Sequence, residues 1–362
     1  MPELTNGADS TLPLPPRRPG EPIRVLIIDD SALVRELLSG LLEADGDIRV
    51  VGTAADPYIA RRLIKELDPD VLTLDVEMPR MDGISFLRNL MRLRPMPVVM
   101  ISAHTQAGAE TTLEALALGA VDFVSKPTQD LAHRLGEFAA EIRSKVRGAA
   151  TSRVRRLATA VVAPASSRLE VGATGERAPR LIVLGASAGG TEAIRYVIAA
   201  LPAEAPPVLI CQHLPVLFTR LFAQRLDGVG PLRAHEAGDG DPIEPGHIYV
   251  APGDRHLHVR ASGDQLRCRL DDGPAVNRHK PAVDVLFESV ARLTGYAVRA
   301  ALLTGMGRDG ASGLLSLRRA GARTIAQDEA TSLVWGMPGA AVKLEAAELI
   351  LPLHEIPRRL LS

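Results

Sequence analysis

Five short apolar runs alternate with amphipathic stretches between Ile23 and about Gly148, and no other feature of the chain constrains its fold as strongly. The runs are IRVLIID, IRVVGTA, VLTLD, PVVMIS and VDFVSK. They read as strands. In Ser31–Asp45 between them, Leu33, Val34, Leu37, Leu38, Leu41 and Leu42 recur at helical spacing and predict one apolar stripe. Repeated β–α units of this kind predict a doubly wound parallel sheet with helices on both faces. Functional residues in such sheets gather at the carboxyl ends of the strands.

A second αβ region starts at Arg180 with RLIVLG, the turn ASAGG and a helix through Ala199, followed by PVLICQ and another helix to about Leu226. From Arg233 to Leu270 the runs RAHEA, HIYVA, HLHVR and QLRCRL are short and broken by Gly, Pro and Asp, which predicts antiparallel strands and hairpins. The αβ rhythm then resumes through VDVLFESVARL, AVRAALLTG, a helix after Asp309, ARTIAQ and AELILP. The expected organisation is a disordered leader over 1–21, a first domain over 22–148, a linker over 149–179 and a second domain over 180–356. The second domain is expected to be doubly wound and mostly parallel, with an antiparallel hairpin section.

Charge is balanced, with 42 basic and 43 acidic residues, so nothing marks a nucleic-acid or anionic membrane surface. No run of about 20 apolar residues and no signal-peptide pattern occurs. Cys211 and Cys268 lie in apolar runs and are expected to be buried free thiols. A cytoplasmic monomer without membrane insertion is the expectation.

Asp29 and Asp30 end the first strand, Asp75 the third, Ser102 the fourth, and Lys126, followed by Pro127, the fifth. Acids gathered with one lysine suit Mg²⁺, a hard ion that takes oxygen ligands and engages phosphate. A carboxylate beside it can accept a phosphoryl group, the metal and lysine offsetting the developing charge. Each residue alone reads better as a turn former, a helix cap or an exposed lysine. The joint pattern, with LDVEMPRMDG around Asp75, resembles the response-regulator receiver family, which has a five-stranded flavodoxin-like fold. That resemblance implies that Asp75 is phosphorylated by a sensor histidine kinase and that Asp29, Asp30, Asp75 and the Glu77 backbone carbonyl hold Mg²⁺. It further implies that Ser102 and Lys126 sense the phosphoryl group and that Phe123 is the switching aromatic.

In the second domain Gly185-Ala186-Ser187-Ala188-Gly189 fits G-x-S-x-G, follows a strand and opens a helix. Such a turn lifts a serine hydroxyl out of the sheet. GASAGG also resembles a damaged dinucleotide loop, but Ser187 replaces its middle glycine and His213, not an acid, ends the next strand. A Gly-rich turn without chemistry is the bland alternative. His213 after PVLICQ and Asp309 in TGMGRDG also stand at strand ends, so the three residues can form a nucleophile, a base and an orienter. The Met306 N–H is the expected oxyanion donor. His256 and His258 share a strand face, while His235, His247 and His279 are scattered. Without H-E-x-x-H or C-x-x-C no zinc site is expected, and no cofactor in this domain.

GASAGGTEAI, QHLP, APGDRHL, NRHKPAVDVLF and TGMGRDG make residues from about 180 to 352 similar to the catalytic domain of the CheB methylesterase family. The resemblance implies hydrolysis of glutamate γ-methyl esters, with deamidation of glutamines, on cytoplasmic chemoreceptor helices. It also implies a receiver that shields the hydrolase until phosphorylated. Ala188 stands where some relatives carry Thr. A receiver-controlled binding module, or a methylesterase-like regulator outside chemotaxis, is the alternative.

Overall fold

The computed structural model describes residues 20–78, 82–102, 105–126, 131–154, 181–263, 265–293 and 295–362. The expected leader, apart from its last two residues, most of the expected linker, and Pro127 lie outside the described residues.

The first domain is a five-stranded parallel sheet in the order β2-β1-β3-β4-β5. Its strands are β1 (Ile23–Ile28), β2 (Ile48–Ala54), β3 (Val71–Asp75), β4 (Val98–Ser102) and β5 (Asp122–Ser125). Helices α1 (Ala32–Glu43), α2 (Pro57–Leu67), α3 (Gly83–Leu93), α4 (Gln106–Ala117) and α5 (Leu131–Ala150) complete it. Helix starts are written locally: Ser31, Asp56, Asp82 and Thr105 each accept a backbone N–H of the first turn through the side chain, and Pro57 opens α2. The α1 stripe is buried at Leu38 and Leu42, but Leu33 is 76% exposed, one turn too early to reach the sheet.

The second domain is a seven-stranded sheet in the order β14-β13-β12-β6-β7-β9-β8, with parallel pairing throughout. Its strands are β6 (Leu181–Ala186), β7 (Val208–Gln212), β8 (Arg233–Glu236), β9 (His247–Val250), β12 (Val298–Leu302), β13 (Arg323–Gln327) and β14 (Leu349–Leu351). Strands β10 (His256–Ser262) and β11 (Gln265–Asp271) form a separate antiparallel hairpin. Helices α6 (Gly190–Ala199), α7 (Val216–Asp227), α8 (Val283–Ala291), α9 (Ala311–Arg319), α10 (Met337–Lys343) and α11 (Ile356–Leu361) accompany them.

The antiparallel expectation holds for β10 and β11 but not for β8 and β9, which pair in parallel at the sheet edge. The connection over 237–246 is too long for a tight hairpin and runs against β11, where Pro242 bridges to Arg267, so β9 re-enters the sheet in the direction of β8. Strands β6, β7 and β12 are buried at every position, as expected of a sheet covered on both faces.

The two domains touch through α4, β5 and α5 of the first. The Phe123 ring stacks on Phe218 of α7 with centroids 4.3 Å apart and planes 24° from parallel. Arg225 of α7 donates to the Glu110 carbonyl of α4 at 3.0 Å. At the end of α5 a Cβ on Gly148 would lie 2.2 Å from the Met306 sulfur, so a larger residue there would displace the Met306 side chain. Beyond it the Arg153 N–H donates to the Leu333 carbonyl at 3.0 Å.

Helix α11 belongs to the core: Ile356 and Leu360 are fully buried and Leu361 almost so. Leu360→Ala is expected to cost about 2–5 kcal/mol of stability. Urea unfolding of the full chain measures it, and a loss below about 0.5 kcal/mol would remove α11 from the core.

Candidate active site and phosphoryl pocket

Because β1 and β3 are neighbours, Asp29, Asp30 and Asp75 converge, with a carboxylate oxygen of each within 4.8 Å of the others. Asp29 and Asp75 are buried and Asp30 is exposed. Lys126, just past β5, reaches in with its Nζ 2.9 Å from Asp75 Oδ2 and 3.1 Å from Asp29 Oδ2. Burial pushes the Asp75 carboxyl up to about 6 against the hydrogen bond and charge of Lys126, and the Glu77 N–H donates to it. One amine against three carboxylates leaves an excess of negative charge, and the all-oxygen donor set fits a hard divalent cation. Ser102 is turned toward α4: its hydroxyl donates to the Gly108 carbonyl at 3.2 Å and accepts from Thr112 Oγ1 at 2.7 Å.

Ser187 stands between the end of β6 and the start of α6. Its N–H donates to the Thr304 carbonyl at 3.0 Å, and its carbonyl accepts from Gln212 Nε2 at 2.9 Å. Gly189 has φ +73°, the left-handed region that lets the chain double back into the helix. A Cβ at Gly190 would meet Gln212 Oε1 at 2.1 Å, so glycine there admits the Gln212 side chain that fixes the turn. Ser187 is half-buried, and the G-x-S-x-G glycines are thereby accounted for by geometry.

Gln212 ends β7 beside β6, so His213 follows directly on the neighbouring strand. His213 Nε2 lies 2.8 Å from Asp309 Oδ2, while Nδ1 is buried without a hydrogen-bond partner. The carboxylate fixes the tautomer: Nε2 carries the proton and donates it, leaving the Nδ1 lone pair free to act as a base. Ser187 and His213 line one narrow cleft, with no hydrogen bond between the serine hydroxyl and the ring among the described contacts. Leu116 and Phe123 of the first domain line the same cleft.

Asp309 is almost wholly buried and takes donors from four directions. Oδ2 accepts from His213 and, at 2.6 Å, from the Val283 N–H; Oδ1 accepts from Asn277 Nδ2 at 2.8 Å and from the Asp284 N–H at 3.2 Å. Burial alone would raise its pKa, but the bonds and charge of His213, with those from Asn277 and Val283, hold it at about 2. The Met306 N–H, on the loop between β12 and Asp309, donates to no described group.

Three residues of the site escape the reading by strand ends. His279 stacks flat on His213 with ring centroids 3.7 Å apart, and burial followed by the neighbouring His213 lowers its pKa to about 3, keeping it neutral. Asn277 and Asp284 lie behind Asp309. All three belong to NRHKPAVDVLF, and that run was the one available signal. Burial pushes the Cys211 thiol well up and Cys268 to about 12, leaving both free cysteines as un-ionised core side chains.

Two family models match the chain: "CheB methylesterase" over residues 182–360 and "Response regulator receiver domain" over residues 25–135. A relative from Xanthomonas oryzae pv. oryzae, named protein-glutamate methylesterase/protein-glutamine glutaminase 2, is 54% identical over 351 residues, covering 94% of this chain and 97% of that one. A Pseudomonas aeruginosa relative of the same name is 53% identical over 341 residues, covering 94% and 97%. The crystal structure of the Thermotoga maritima CheB methylesterase catalytic domain is 35% identical and covers 51% of this chain and 97% of that one, with a TM-score of 0.49.

Asp284 provides a test of the site's electrostatics. Burial raises its pKa from 3.8 to about 6, so the folded chain holds a proton that the unfolded chain has lost between those values. Stability therefore rises as pH falls through about 6, and the cost of the buried charge is fully present above it. As pH falls from 7 to 4, the wild-type Tm is expected to rise relative to that of Asp284→Asn. A flat or opposite difference rejects the buried charge.

Proposed function

Taking as premise that the chain belongs to the CheB methylesterase family and carries a response regulator receiver domain, we propose that it is a protein-glutamate methylesterase and protein-glutamine glutaminase acting on chemoreceptors. The observation that carries this reading is the His213–Asp309 pair, in which Asp309 holds Nε2 and Nδ1 is left without a partner, with His213 lining the same cleft as Ser187.

In the forward step His213 Nδ1 takes the Ser187 hydroxyl proton as Oγ bonds to the γ-ester carbonyl carbon. Asp309 stabilises the imidazolium through Nε2–H and stays ionised. The Met306 N–H meets the oxyanion, an interaction whose loss typically costs about 10²–10³ in rate. The C–O bond then breaks, and His213 returns its proton to the departing methoxide, releasing methanol. Water attacks the acyl-enzyme with His213 again as base, which leaves glutamate and restores Ser187. A glutamine substrate follows the same course with ammonia as leaving group.

The receiver supplies control. Asp75 accepts the phosphoryl group from a sensor histidine kinase, with Asp29, Asp30 and the Glu77 carbonyl joining it to hold Mg²⁺, which would offset charge on the transferred group. Ser102 and Lys126 then follow the phosphoryl oxygens. The Phe123–Phe218 stack and the receiver side chains lining the Ser187 cleft support a resting state in which the receiver obstructs substrate. Phosphorylation favours a separated state, because Asp75 and Phe123 are coupled through β5.

Methanol release from methylated receptor membranes tests the chemistry: Ser187→Ala is expected to lower it by roughly 10⁴-fold or more. Retention of the rate would reject a serine hydrolase. For control, a small-molecule phosphoryl donor is expected to raise the wild-type rate, and Phe218→Ala to raise the basal rate and shrink that activation. The shielding model fails if neither treatment changes the rate.

A further inference from the structure

Val276 and His279 exchange two backbone hydrogen bonds, of 3.0 and 2.9 Å, across the two residues between them. Those residues, Asn277 and Arg278, both have positive φ, +53° and +70°. This is a two-residue hairpin loop of the kind that glycine or asparagine normally fills. Asparagine tolerates the left-handed region, but a long side chain such as Arg278 does so only at a cost, and such outliers persist where the surroundings enforce them.

The turn puts the Asn277 amide between two carboxylates. Its Nδ2 is 2.7 Å from Asp284 Oδ2 and 2.8 Å from Asp309 Oδ1, so each of its two hydrogens serves one acid. Asp284 Oδ1 is held from the other side by the Gly313 N–H at 2.7 Å. The same turn delivers His279 onto the face of His213. One strained loop thus meets the acid of the His213–Asp309 pair on one side and its base on the other.

We infer that Asn277 is a positioning residue for the hydrolytic reaction: its amide screens Asp309 from the like charge of Asp284 and keeps Oδ2 free to hold His213 Nε2–H. The inference rests on the reading of Ser187, His213 and Asp309 as the reacting triad. The charged and titratable groups facing this cluster are His213, His279, Asp284 and Glu288 of α8, Arg278 of the turn itself, Lys145 of α5 and the Cys211 thiol of β7. Loss of the amide removes a donor from Asp309 and makes that carboxylate more basic. A more basic orienting carboxylate moves the acid limb of the rate profile up.

The experiment uses the full chain with acetyl phosphate as phosphoryl donor and methylated receptor membranes as substrate. Asn277→Gly keeps the positive φ and deletes only the amide. It is expected to lower kcat about 10- to 100-fold, with KM nearly unchanged, and to move the acid limb of the kcat/KM profile upward by about half a pH unit or more. Asn277→Asp, which keeps size and turn preference but replaces the two N–H donors by a carboxyl that can give at most one O–H, is expected to shift the profile in the same direction and keeps the test alive if the glycine variant is unfolded by circular dichroism. Arg278→Gly relaxes the turn, retains the amide and is expected to stay within about twofold of wild type. The inference is overturned if Asn277→Gly folds with an unshifted profile, or if Arg278→Gly falls as far as Asn277→Gly. Full activity in Ser187→Ala would instead defeat the triad reading itself.

Discussion

The buried carboxylate of Asp309 is the point on which the second domain turns. It receives the first free N–H groups of α8, whose N-terminus has no side-chain cap of its own, and it also receives the ring proton of His213. Helix capping and the acid–base pair are therefore one interaction. An anion at a helix N-terminus is stabilised by the unpaired N–H groups there. Together with the His213 ring, the largest contribution, and the Asn277 amide, these groups keep a nearly inaccessible carboxyl ionised, so that it orients an imidazole without taking its proton. Position and charge come from the same set of hydrogen bonds.

What could be read from the chain followed from strand ends. Asp29, Asp30, Asp75 and Lys126 each close a short apolar run, and parallel pairing of β1 with β3 brings them together as that pattern demands. Ser187, His213 and Asp309 follow the same logic on β6, β7 and β12, which lie side by side. Asn277, His279 and Asp284 do not, because the turn that carries the first two and the start of α8 that carries the third follow the β10–β11 hairpin and belong to no strand end of the sheet. Nor could alternation of apolar residues separate parallel from antiparallel pairing for β8 and β9. Strands of four residues carry too little pattern, and the direction is set by where a Pro- and Gly-containing connection crosses β11.

The first domain is connected to the second through its smallest strand. Strand β5 has four residues, with Phe123 stacked on α7, while Lys126 just beyond it pairs with Asp75. Ser102 on the adjacent β4 is tied to Thr112 of α4, the helix that lies along α7. A change of charge at Asp75 thus has a short route to the surface covering the cleft, through Lys126 and the strand that carries Phe123.

Gly148 gives that surface a second meaning. Its bare Cα rests on the side chain of Met306, whose N–H is the proposed oxyanion donor. A cover that only filled the cleft would set the fraction of molecules open to substrate and leave each open molecule equally competent. A cover that also touches the side chain of the proposed oxyanion donor residue would act on turnover as well as on access. In the proposed cycle, departure of the receiver frees the entrance and the donor peptide together, so accessibility and catalytic power travel along a single coordinate.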